Sequence, residues 1–162
     1  MSVIVPGSYD PVTLGHLDII RRASEENDEV YAVIFVNPNK EYTFSLDDRM
    51  RMLILATDDL PNVLVSYSNG LVIDYMREHG IDRIIKGYRN ETDLEYEREQ
   101  AEYNLRFGGY ETELKRCREG YEGVSSTEVR RRLQRGESVA DVLPESVAKY
   151  IERIRDSRMS SI

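Results

Sequence analysis

The eleven residues Pro6-Gly7-Ser8-Tyr9-Asp10-Pro11-Val12-Thr13-Leu14-Gly15-His16 constrain the fold of this chain more than any other stretch. They follow a short apolar run, Val3-Ile4-Val5, which reads as a buried strand. They lead into Leu17, Ile20 and Ala23, which are spaced for one face of a helix. Two glycines and two prolines in that length bend the backbone into a fixed loop. In α/β proteins, a glycine-containing loop between a strand and a helix N-terminus is a place for phosphate. Free backbone N–H groups and the positive end of the helix dipole both point there. Thr13 and His16 are three residues apart, so both fall on one face of the first turn if the helix begins near Thr13.

Strands and helices keep alternating downstream. Val30 to Val36 is a nearly continuous apolar run, the mark of a strand buried on both faces, and Asn37-Pro38-Asn39-Lys40 ends it. Ser45 fits a helix N-cap, with Asp47 and Asp48 in the first turn. Val63 to Tyr67 reads as a third strand, and Leu71 to His79 as a short helix closed by Gly80. A fourth strand ends with Ile84 and Ile85 at the loop Lys86-Gly87-Tyr88-Arg89. A highly charged helix is expected from about Thr92 to Arg106, broken by Gly108-Gly109. The polar run Glu111 to Arg116 suits only a sheet edge. Ser125-Ser126-Thr127-Glu128 has the form of a capping box, and Gly136 ends the helix it opens. Pro144 suits the first turn of a last helix carrying Val147, Tyr150, Ile151 and Ile154 on one stripe. The tail from Asp156 to Ile162 is expected to fray.

This order predicts an α/β fold: a single domain over residues 1–162, with a doubly wound parallel sheet and C-terminal helices. Ligands then bind at the carboxyl ends of the strands. The loops there are Pro6–His16, Asn37–Lys40, Ser68–Gly70 and Lys86–Arg89, and three of the four carry Lys, Arg or His. A net charge of −8 makes nucleic acid and anionic membrane poor partners, so a bound anion must be held by such local cations. One cysteine, Cys117, leaves no internal disulfide and fits a reducing compartment. No apolar run approaches the roughly 20 residues of a membrane helix, and no signal peptide is evident, so a cytoplasmic location is expected.

The first loop carries a resemblance. Thr13-Leu-Gly-His16 within Asp10-Pro-Val-Thr-Leu-Gly-His-Leu-Asp-Ile-Ile20 is similar to the His/Thr-x-Gly-His motif of the nucleotidyltransferase superfamily. It resembles most the bacterial phosphopantetheine adenylyltransferases. Lys40-Glu-Tyr-Thr-Phe-Ser-Leu-Asp-Asp-Arg49, Ile85-Lys-Gly-Tyr-Arg89 followed by Asp93-Leu-Glu-Tyr-Glu97, and Val124-Ser-Ser-Thr-x-Val-Arg130 match further motifs of that family in order. The resemblance implies a Rossmann-like nucleotidyltransferase fold and adenylyl transfer from ATP to 4′-phosphopantetheine, giving dephospho-coenzyme A and pyrophosphate. Mg²⁺ would accompany ATP, with no dedicated protein ligands named. A homohexamer is implied as well.

By motif position, the resemblance gives His16 the ATP phosphates and the transition state. Lys40 would hold the attacking phosphate, and Arg89 the ATP phosphates. Ser8 would bridge nucleotide and acceptor, while Val72 and Lys86 serve the acceptor. The ATP site would further include Tyr9, Gly87, Tyr88, Glu97 and the run Tyr121, Glu122, Gly123, Val124, Ser125, Ser126 and Thr127. Gly87 would let the nucleotide lie against backbone.

Taken singly, several of these residues have plainer readings. Lys40 and Lys86 could be solvated charges, and Glu97 one of several acids on a wet helix face. Arg130 to Arg132 and Arg135 would pair with carboxylates, and Cys117 and His79 would have no role. The chain departs from the family in having Lys86 where arginine is usual, and in the polar run Glu111 to Cys117. Two rival readings are nicotinate mononucleotide adenylyltransferase and a non-catalytic nucleotide-binding regulator. A dinucleotide oxidoreductase is excluded by the lack of Gly-x-Gly-x-x-Gly after the first strand. A class I aminoacyl-tRNA synthetase is excluded by length and acidity.

Overall fold

The computed structural model describes residues 1–160. Five strands, β1 (Ser2–Gly7), β2 (Glu29–Phe35), β3 (Val63–Ser68), β4 (Arg83–Tyr88) and β5 (Thr112–Arg116), form one sheet in the order β3-β2-β1-β4-β5. Every pairing is parallel. The helices are α1 (Leu14–Glu26), α2 (Leu46–Thr57), α3 (Val72–His79), α4 (Glu91–Gly108), α5 (Ser126–Arg135) and α6 (Glu145–Ser160). This is the expected Rossmann-like α/β fold with C-terminal helices, and strand order reverses at β1.

The central strands are buried on both faces, which is why their sequences read as unbroken apolar runs. Val3, Val5, Ala32, Ile34 and Ile85 face a large core with Ile20 and Ala23 of α1, Met52 and Leu53 of α2, Val129 of α5, and Val147 and Ile151 of α6. The alternate residues Ile4, Val33 and Ile84 face a smaller core with Tyr75 and Met76 of α3. α4 lies outside both, with no buried residue along its length.

The two seams flanking β1 differ. β1 pairs with β2 over six positions, from Ser2↔Glu29 to Gly7↔Ile34. Its ladder with β4 holds only Val3↔Arg83 and Ile4↔Ile84, although both strands continue. Beyond that point only the β5 edge of β4 stays paired, through Tyr88, and the Lys86 ammonium donates across the gap to the Pro6 carbonyl at 3.2 Å. The sheet therefore splits at the carboxyl ends of β1 and β4, on the side of the topological switch.

Some boundaries differ from the sequence expectation. β4 runs through Tyr88, so Lys86, Gly87 and Tyr88 are ladder residues opposite Leu114, Lys115 and Arg116, not a loop. α4 extends two residues further, to Gly108, and is capped by left-handed Gly109 at φ 76°. Pro144 sits just before α6, its carbonyl accepting from the Val147 and Ala148 amides. α6 is helical through Ser160, and residues 161 and 162 of the expected frayed tail lie outside the described residues. The polar β5 is an edge strand, as its composition required, and its charges are matched. Lys115 meets Glu26 and Glu113, each at 2.8 Å, and Arg83 meets Glu113 at 3.3 Å. Among the described residues, no helix is long and apolar enough to cross a membrane.

Candidate active site

The loop between β1 and α1 ends in a reciprocal cap. Thr13 is the N-cap of α1, and its hydroxyl accepts from the His16 amide at 3.3 Å. In return, Nδ1 of His16 accepts from the Thr13 amide at 3.0 Å. A glutamate usually makes this second bond. Here imidazole makes it, and an Nδ1 that accepts an N–H cannot carry a proton. Nε2 is thus the protonated ring nitrogen. Burial, reinforced by the positive charges of Lys86 and Arg89, pulls the His16 pKa down to about 4. At neutral pH the ring is an uncharged N–H donor.

The rest of the loop is fixed from several sides. Tyr9 adopts φ 48°, uncommon for a residue other than glycine, and its buried hydroxyl donates to the Val5 carbonyl at 2.7 Å. Burial pushes that phenol well above its ordinary pKa. The Asp10–Pro11 peptide is cis. The buried Asp10 carboxylate accepts from the Thr43 and Phe44 amides at 2.8 and 2.9 Å. From α5, Ser126 donates to the Pro11 carbonyl and Arg130 to the Asp10 carbonyl, both at 2.8 Å. Arg130 also reaches the Thr127 hydroxyl. It therefore departs from the expected pairing with carboxylates, whereas Arg131 and Arg132 follow it, both on Glu128. Ser125 caps α5 through the Glu128 amide, while the Glu128 carboxylate turns to those arginines.

Two cavities open where the sheet splits. The first, about 270 Å³, brings together His16, Lys86, Gly87, Tyr88, Arg89, Glu97, Tyr121, Val124, Ser125, Ser126 and Thr127, with the Tyr9 ring in its wall. The second, about 350 Å³, is lined by Ser8, Val72, Lys86 and Glu97, together with Phe35, Tyr96, Gln100, Ala101, Asn104 and Thr112. Pro6, Lys86 and Glu97 line both, so they form the partition. A larger crevice of about 480 Å³ between α5 and α6 shares only Thr127 with the first cavity and includes none of His16, Lys86 or Arg89.

The charges are arranged in pairs. Lys86 lies 3.7 Å from Glu97. Burial raises the Glu97 pKa, and Lys86 opposes that rise. Glu97 is thus turned into the site and is not part of the wet helix face. Arg89 is tethered by Asp93 at 2.9 Å, one helical turn on, and Asp93 lines the first cavity as well. The sequence reading missed Asp93, although its i,i+4 spacing from Arg89 was visible. Lys40 stands at the rim with its ammonium 3.5 Å from the Ser8 hydroxyl, outside both linings. Glu122 and Gly123 are exposed and line neither, and Glu122 accepts from the Gly120 amide. Arg118 sits 5.7 Å from the centre of the Tyr121 ring. Cys117 lines the first cavity, its thiol pKa raised by burial. His79 has a packing role, stacked on Tyr75 at 3.9 Å.

Packing also constrains Gly87, which lines the first cavity. A Cβ there would lie 2.7 Å from Cγ1 of Ile19, so the residue must be small for α1 to pack on β4.

The first cavity can receive an anionic ligand. It offers a neutral imidazole N–H, two cations and the N-terminus of α5, whose free N–H groups and dipole favour phosphate. The second offers hydroxyl and amide side chains on an apolar floor. A sequence model of the family described as cytidylyltransferase-like matches residues 4–132.

Proposed function

The chain belongs to the cytidylyltransferase-like family of nucleotidyltransferases, and from that premise we propose that it transfers the adenylyl group of ATP to 4′-phosphopantetheine, as one domain. The observation that carries the reading is the partition: a phosphate-type cavity and an amide-type cavity meet at Lys86. ATP occupies the first. Arg89 and the Ser125–Thr127 turn hold its phosphates, Glu97 accepts from its ribose, and Tyr121 with Val124 covers the base. The acceptor occupies the second, with Val72 on its apolar side and Ser8, Lys40 and Lys86 around its phosphate. Its two amides suit Gln100 and Asn104.

The reaction needs little from the protein beyond alignment and charge. A phosphate monoester has its second pKa near 6, so the acceptor is largely dianionic at neutral pH and needs no base. One of its oxygens attacks the α-phosphorus in line. The bond from that phosphorus to the bridging oxygen breaks, and pyrophosphate leaves with the electron pair. No covalent intermediate with the protein is formed. His16 donates Nε2–H to the α-phosphate as charge shifts there, and the capping bond to Thr13 keeps that donor preorganised. Mg²⁺ carried on ATP would be held mainly by the phosphates and several waters, with few protein ligands, and would neutralise phosphate charge.

The proposal includes a homo-oligomer, a hexamer by resemblance. Tyr96, Tyr103 and Phe107 stand exposed along one face of α4, an apolar face that a neighbouring copy would cover. Light scattering at micromolar concentration tests this, and a monomer overturns it. The activity is tested by pyrophosphate release from Mg²⁺-ATP. Release is expected with 4′-phosphopantetheine and not with nicotinate mononucleotide, and the reverse result overturns the assignment.

A further inference from the structure

Arg49, on the first turn of α2, is among the largest fully buried side chains of the protein, with 2% of its surface exposed. Burying a guanidinium carries a desolvation cost that good geometry must offset. Its fork is spent on two backbone carbonyls: Nε donates to Phe44 and Nη1 to Ser8, both at 3.1 Å. Its planar face lies 3.9 Å from the centre of the Tyr42 ring. Tyr42 carries the linkage onward. Its hydroxyl accepts from the Asn37 amide at 2.9 Å, and the Asn37 carbonyl closes a turn on the Lys40 amide at 3.1 Å. The Lys40 ammonium then returns to the Ser8 hydroxyl. The contacts form a ring that starts and ends at Ser8, with Arg49 as its buried member.

We propose that Arg49 is a positioning residue for the acceptor phosphate: it clamps the loop that carries Lys40 to the loop that carries Ser8. Asp10 ties the two loops further along, at the Thr43 and Phe44 amides, but Lys40 is exposed on a turn beyond the sheet, and Arg49 links the Ser8 backbone to that turn through Tyr42. Lysine at this position would keep the charge but lose the fork and the flat face that bind two carbonyls and a ring at once. The inference rests on the reading that Lys40 and Ser8 serve the acceptor, but the clamp itself can be measured without substrate.

The experiment uses R49K and, as a milder variant, Y42F, which keeps the ring and removes the acceptor for the Asn37 amide. Hydrogen exchange at Asn37 and Lys40 in the substrate-free protein is expected to accelerate about tenfold or more in R49K. Mg²⁺-ATP affinity by calorimetry should stay within about twofold. With 4′-phosphopantetheine varied, kcat/KM should fall about tenfold or more, since displacing a positioned group by about 1 Å is worth up to about a hundredfold. In a Lys40→Ala background, R49K should cost less than about twofold, because the group it positions is gone. Unchanged exchange, an equal loss of ATP affinity, or the full kinetic loss in the Lys40→Ala background would each overturn the proposal. If R49K does not fold, Y42F decides: faster exchange at Asn37 with weaker acceptor kinetics supports the clamp, and neither change refutes it. Should the wild-type protein turn over no 4′-phosphopantetheine, the acceptor assignment falls, while the exchange measurement still decides whether the clamp exists.

Discussion

The two cavities share a wall and little else. The first is built from loops, strand ends and a helix N-terminus, and its polar groups are held by other polar groups: His16 by Thr13, Arg89 by Asp93, Ser126 by the Pro11 carbonyl. The second is faced by one side of α4, whose Gln100 and Asn104 stand beside Phe35, Val72 and Ala101. One is a preorganised electrostatic site, while the other is a surface of shape and neutral hydrogen bonds. On the proposed reading, nucleotidyl transfer belongs to the first, and discrimination between acceptors to the second.

Substitutions can break that division, starting with the largest effect. His16→Ala should lower kcat by about 10²–10³-fold with little change in the KM for ATP, as expected on losing a preorganised donor. Near-normal kcat would make the His16–Thr13 pair a cap and nothing more. Lys86→Ala should lower kcat/KM for the acceptor about tenfold or more, the worth of a charge-assisted bond. Lys86→Arg should be tolerated. If Lys86→Ala changes only the ATP parameters, the partition has been assigned to the wrong side. Asp93→Asn should release Arg89 and raise the KM for ATP by about threefold to fivefold, in keeping with a partly exposed ion pair. The acceptor KM should be unmoved, and steady-state kinetics with each substrate varied separates the two.

The last effect is on stability and shows only below neutral pH. The His16 pKa is about 4 in the folded chain against 6.5 as its ordinary value. Between these values the unfolded chain binds the extra proton, so stability rises with pH through that window. The His16 contribution is complete above about 6.5 and is lost as pH falls toward 4. Thermal melts of wild type and His16→Gln should therefore converge in pH dependence above 6.5 and differ below it. Identical profiles throughout would mean that imidazole is not buried as a neutral donor.

Much of this was legible in the sequence, and what was missed shares a cause. The alternation of apolar runs with capped helices predicts the parallel sheet, because strands buried on both faces need those runs. Thr13, Ser45 and Ser125 mark helix starts through local hydrogen bonds, which sequence spacing encodes directly. The end of β4 was misplaced because Lys86-Gly87 has turn composition, while pairing with β5 holds it in the ladder. The packing constraint on Gly87 lies in Ile19, 68 positions away in sequence, and no local pattern carries that. Arg49 closes a motif segment in the sequence, but its burial depends on Ser8 in a distant loop, which no local pattern shows. Local capping is visible in one dimension, and contacts between elements are not.

The absence of buried residues in α4 has a consequence for how this chain can change over generations. Most substitutions at exposed positions alter stability by less than about 0.5 kcal/mol. The exposed positions of the helix face that lines the second cavity, Tyr96 and Gln100, can therefore be rewritten with little risk to folding. The other side has no such freedom: Gly87 is pressed against Ile19, while Tyr9, Asp10 and Arg49 are buried and bonded. Lineages descending from such a scaffold would inherit nucleotide chemistry nearly intact and explore new acceptors by drift along one helix. A mutational library confined to Tyr96 and Gln100 samples that freedom directly, since both are exposed and line the second cavity.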